Sequence, residues 1–115
     1  MQRVNFILGI PMICLIFSIG QSQWLETTIL VDSGPYALVW NSVNNKVYCA
    51  NEYNANVTVI DGTNNSVITT IPVGNDHYAL VWNSANNKVY CANVGSANVT
   101  VIDGANDSII TTIPV

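Results

Sequence analysis

Few side chains in this 115-residue sequence could do chemistry. The single histidine, His77, follows Asp76, and a carboxylate beside an imidazole suggests a general base. No serine or cysteine stands at a recognisable nucleophile spacing from it, so a solvated loop pair is the simpler reading. Cys49 and Cys91 fall at equivalent places in two similar segments, which suggests a bridge. Packed sheets lie ~10 Å apart, whereas a disulfide needs α-carbons within about 7 Å. Both thiols are therefore expected to be small buried hydrophobes. One histidine and no CxxC pair leave zinc-type ligand spacing absent. Asp61 and Asp103 each precede glycine, which is turn chemistry. The stretch from Asp61 begins like a calcium loop, but Pro72 stands where its distal carboxylate should be. No catalytic, cofactor-binding or metal-binding residue is assigned.

Composition excludes several other classes. Half of the residues are hydrophobic and 9% are charged, against a usual share of about 25% charged. Such a chain is not disordered, and scarce Glu, Lys and Leu exclude a coiled coil. Three cysteines are too few for a disulfide scaffold. The net charge is −4 with no basic stripe, so no nucleic-acid partner is expected.

The elements that position these residues repeat. Tyr36-Ala37-Leu38-Val39-Trp40 recurs at Tyr78–Trp82, Lys46–Asn51 at Lys88–Asn93, and Asn56–Gly62 at Asn98–Gly104, always 42 residues on. Between 36–73 and 78–115, 31 of 38 positions are identical. A period near 42 is that of one four-stranded propeller blade. Each repeat holds four apolar runs rich in Val, Ile, Thr and Tyr, which suit a pleated surface. In the first repeat they are Tyr36–Trp40, Lys46–Asn51, Val57–Asp61 and Ser66–Val73. Asn- and Asp-rich stretches separate the hairpin arms, because these residues tolerate left-handed turns. The two inner runs are almost continuously apolar, as for strands buried on both faces. Low charge follows from that sandwiching. Pro72 and Pro114 place the fourth run on an edge, since proline cannot donate to a ladder.

These residues resemble the YVTN repeat of YncE-like and surface-layer-type β-propellers. VYCAN stands where that family has its YVAN or YVTN element, and VTVID and VITTIPVG match its two following strands. The resemblance covers Thr27 to Val115, with His77 departing where the first repeat has Pro35. It implies an all-β propeller, usually of seven blades. The family includes binding proteins, lactonase-like enzymes and propeller domains of redox enzymes, so membership does not choose a function.

The N-terminus reads as a targeting signal, expected as a helix, over residues 1–22. Arg3 precedes a mostly apolar run to Gly20, and small residues follow at Ser18, Gly20 and Ser22. A membrane anchor is the alternative, but the run falls short of the ~20 residues a span needs and holds Asn5 and Pro11. The domain from 23 to 115 is then exported, to a periplasm, cell surface or medium. Thr27–Val31 matches Thr69–Val73 and is expected as an extra outer strand. Two blades cannot close a propeller of about 4 to 8. The missing blades are expected from a longer chain, or else from oligomerisation.

Differences between the repeats gather in two loops. Asp32–Pro35 aligns with Gly74–His77, and Glu52–Asn54 with Val94–Ser96, with every position changed. In an up-and-down blade both loops lie at one end, and repeat proteins often bind on the face where loops vary. Asp32, Glu52, Tyr53, Asp76 and His77 are therefore the candidate binding residues, for a protein or glycan. An exported binding scaffold without catalysis is the first functional reading. The alternative is the N-terminal part of a propeller enzyme, lactonase-like or redox. Asn-X-Ser/Thr triplets at Asn56, Asn64, Asn98 and Asn106 matter only where the source glycosylates exported asparagines.

Overall fold

The Asn- and Asp-rich turns decide where the strands stop. The computed structural model describes residues 25–115. Asn41 and Asn83 accept the amides of Val43 and Ala85 at 3.0 Å, and Asp61 and Asp103 accept those of Thr63 and Ala105 at 2.8 Å. Each is an Asx turn, a side chain taking the place of a backbone acceptor two residues on. Asn45, Asn65, Asn87 and Asp107 close the same hairpins with φ between 53° and 66°. Asn and Asp occupy that left-handed region at least cost among residues with a Cβ.

Between the turns lie eight strands. They are β1 (Pro35–Asn41), β2 (Lys46–Asn51), β3 (Asn56–Asp61), β4 (Val67–Pro72), β5 (His77–Asn83), β6 (Lys88–Asn93), β7 (Asn98–Asp103) and β8 (Ile109–Pro114). They form two antiparallel four-stranded sheets, ordered β1-β2-β3-β4 and β5-β6-β7-β8. Tyr48 pairs with Val39 on one side and Val59 on the other, and Tyr90 sits likewise between Val81 and Val101. The four runs expected in each repeat are thus the four strands, and Pro72 and Pro114 lie on the edge strands β4 and β8.

The core lies between the sheets. Tyr48, Val57, Val59 and Ile71 of the first sheet meet Val89, Cys91 and Ile102 of the second, with Val39, Leu80 and Trp82 packed around them. Strand β5 lies against β1 and β2, so the inner strands of the two sheets are neighbours. Two consecutive meanders stacked face to face, inner edge beside inner edge, are two blades of an all-β propeller.

Two expectations need adjustment. Thr27–Val31 carries no strand. A strand is defined by its ladder, and the described residues offer this segment no inner strand to pair with. The inner runs are also not buried on both faces throughout. Leu38 and Trp40 are exposed, because the first blade has a neighbour on one side only. The expected signal segment and its helix lie outside the described residues.

Candidate functional site

Both variable loops of each repeat do meet at one end of the blade. In the first, the Glu52 amide donates to the Gly34 carbonyl at 2.7 Å. In the second, the Val94 amide donates to the Asp76 carbonyl at 3.0 Å and the Asn75 amide to Ser96 Oγ at 2.9 Å. The contact is tight in the first blade. Gly34 has φ +76°, and a Cβ there would lie 2.8 Å from Tyr53 Cδ2. The ring of Tyr53 therefore rests on the bare glycine while the residue stays 77% exposed.

Local sequence explains this posture. Glu52–Asn54 forms a single 3₁₀ turn that Ala55 closes at φ 53°. The turn lifts Tyr53 away from the sheet, whereas Gly95 holds its place in the second blade and presents no ring. Asp32 is tied down by Asn56, whose Nδ2 donates to Asp32 Oδ2 at 2.6 Å. Asp76 is exposed and has φ 50°. His77 is the first residue of β5, with Asn93 as its strand partner. The structure thus brings Asp32, Glu52 and Tyr53 to one blade end, and Asp76 and His77 to the matching end of the next.

Each VYCAN motif supports this end from beneath. Asn51 is buried and donates to Asn56 Oδ1 at 2.9 Å and Thr58 Oγ1 at 2.7 Å. Asn93 repeats the pattern with Asn98 and Thr100 at 2.8 and 2.9 Å. A buried amide so satisfied locks β2 to β3 and β6 to β7 next to the loops. The cysteines are part of the same packing. Cys49 and Cys91 are buried, unbridged thiols whose Sγ atoms donate to Asn51 and Asn93 Oδ1. Burial pushes the Cys49 thiol up and that of Cys91 to about 12, so neither is a thiolate nucleophile near neutrality.

The opposite end holds a cluster that sequence reasoning treated as turns alone. Lys46 Nζ, from β2, lies 2.7 Å from Asp107 Oδ2, in the last hairpin of the other blade. Tyr48 donates its phenol to Asp107 Oδ1, also at 2.7 Å. Burial, and then this bond, push the Tyr48 phenol well above its ordinary range. Asn44 Nδ2 donates to the Gly104 carbonyl at 2.6 Å, and Asn41 Nδ2 to Asn87 Oδ1 at 2.8 Å. Gly104 must be bare, since a Cβ would fall 2.5 Å from Asn87 Oδ1. The cluster is a polar joint between blades. Its only sequence signal was Asp107 where the first repeat has Asn65.

Blade architecture and loop end together define a β-propeller segment with one built loop face. Two solved structures share the fold: AztD from Citrobacter koseri, and the same protein in apo form. Each superposes with a TM-score of 0.63 at 16% identity, over 76% of this chain and 26% of the other. The chain thus spans about a quarter of the length of those proteins. No protein-family model and no curated protein sequence matches the chain.

Proposed function

We propose that the protein is an exported YVTN-type propeller scaffold that binds a protein or glycan through the loop face carrying Asp32, Glu52, Tyr53, Asp76 and His77. The observation that carries this reading is Tyr53. An aromatic ring held outward on a glycine, flanked by carboxylates, is a rigid amphipathic contact of the kind that anchors interfaces. The repeats diverge here and agree almost everywhere else, which suits loops selected for contact on a common scaffold. The apolar run behind Arg3 supports export, and VYCAN, VTVID and VITTIPVG support the repeat type.

A glycan panel and purified envelope proteins of the source organism, probed with the native protein, test the reading. Binding should occur, and Tyr53→Ala should weaken it about tenfold or more. Gly34→Ala, which displaces the ring, should weaken it too. Binding that ignores both substitutions, or no binding to either set, overturns the proposal.

A further inference from the structure

The Asn-X-Ser/Thr triplets that begin at Asn56, Asn64, Asn98 and Asn106 are alike in sequence, and the fold sorts them into two kinds. Asn56 and Asn98 open the strands β3 and β7. The third residues of their triplets, Thr58 and Thr100, are 2% exposed, and each hydroxyl accepts from the buried amide of Asn51 or Asn93. The same buried amides donate to Asn56 and Asn98 Oδ1, and Asn56 Nδ2 donates to Asp32. An enzyme could engage these triplets only by stripping β3 from β2 and β4, or β7 from β6 and β8.

Asn64 and Asn106 stand in the hairpins that lead into the edge strands β4 and β8, and they are exposed together with Ser66 and Ser108. Each Oδ1 is taken up within its own triplet, accepting the serine amide at 3.0 Å and the serine hydroxyl at 2.7 Å. Each Nδ2, the atom that bears the sugar in an N-glycoside, has no partner among the described residues. The bonds that hold these triplets are local and exposed, so an enzyme can draw them out without opening a sheet. We propose that Asn64 and Asn106 are N-glycan acceptors and that Asn56 and Asn98 are not. The donor class is an oligosaccharide linked through phosphate to a membrane lipid. Nδ2 attacks the anomeric carbon, and a carbon–nitrogen bond forms as the bond from that carbon to the phosphate oxygen breaks. The lipid phosphate leaves with the electron pair, and one Nδ2 proton passes to a base of the transferase. Both acceptors lie at the blade end opposite the variable loops, so their glycans leave the loop face clear.

This inference rests on the export reading, since N-glycan acceptors of this type belong to surface loops of exported chains. Tandem mass spectrometry of the protein isolated from its source organism, with cell fractions kept apart, gives the test. A sugar-mass increment is expected on Asn64 and Asn106 in the exported fraction, with Asn56 and Asn98 bare. Ser66→Ala should remove the increment from Asn64 alone, and Ser66→Thr should keep it, because either hydroxyl completes the triplet. Exported protein that is bare at both hairpin sites overturns the inference and leaves export standing. Protein retained in the cytoplasm overturns both. Sugar on Asn56 or Asn98 sinks the claim that the fold sorts the four triplets, and an increment that survives Ser66→Ala shows a modification of another kind.

Discussion

Ile71 and Ile113 hold the same place in two blades that agree at 31 of 38 positions, yet one is 4% exposed and the other 44%. Tyr48 and Tyr90 differ in the same way, one fully buried and bonded across the joint, the other half-buried and bonded within its hairpin. Nothing in the strands themselves separates these pairs. Blade one packs Val39 and Ile71 into the core shared with its neighbour, and blade two leaves their copies Val81 and Ile113 exposed. Burial here is a property of position in a stack, and each blade is only half of every core it joins.

Paired substitutions would break or sharpen this comparison. The largest difference should come from the isoleucines. Ile71→Ala should cost about 3 kcal/mol in urea unfolding, from lost burial and a cavity, and Ile113→Ala under about 1 kcal/mol. Equal costs would mean that the joint contributes little. Next comes the ion pair. Asp107→Asn should cost about 2 kcal/mol, because it strips a charged acceptor from Lys46 and Tyr48 in a largely buried setting. Asn65→Ala, at the open copy, should cost no more than about 0.5 kcal/mol. The tyrosines follow, with Tyr48→Phe expected at about 1 kcal/mol and Tyr90→Phe near zero.

The smallest effect near neutrality concerns pH. Burial raises Cys91 from 9.0 to about 12 and moves Tyr48 the same way, so folding favours the protonated forms. Their contribution is full below about pH 9 and declines as pH rises towards 12. Urea midpoints at pH 7, 9 and 11 should fall at the alkaline end only, and Cys91→Ala should lessen the fall. A midpoint that drops already between pH 7 and 9 would contradict the burial of both groups.

Much of the architecture was legible because it is local. Asx turns at Asn41, Asp61, Asn83 and Asp103 need only the residue and its next two amides. The strands between them follow from β-branched runs, and their order follows from hairpins too short for any other connection. The meeting of the two variable loops was legible for the same reason, since an up-and-down blade alternates its ends. Tyr53 was readable as a candidate, but its seat on Gly34 joins two loops that are apart in sequence and is set by the fold. The Lys46–Asp107 pair was not legible, as its partners stand in different blades and each aspartate in such a hairpin already has a turn to explain it. Thr27–Val31 shows the reverse case: its sequence copies an outer strand, yet a ladder needs a partner that this sequence segment cannot supply.

By itself, then, the sequence determined the strands, the turns, the blade repeat and the end at which its copies diverge, all set by interactions within a few residues or one hairpin. Only the tertiary structure decided which copy of each face is core, which charges meet across the joint, and which apolar surfaces stay open. Those outcomes depend on what stands on the far side of a sheet, and two nearly identical sequences carry no record of their different neighbours.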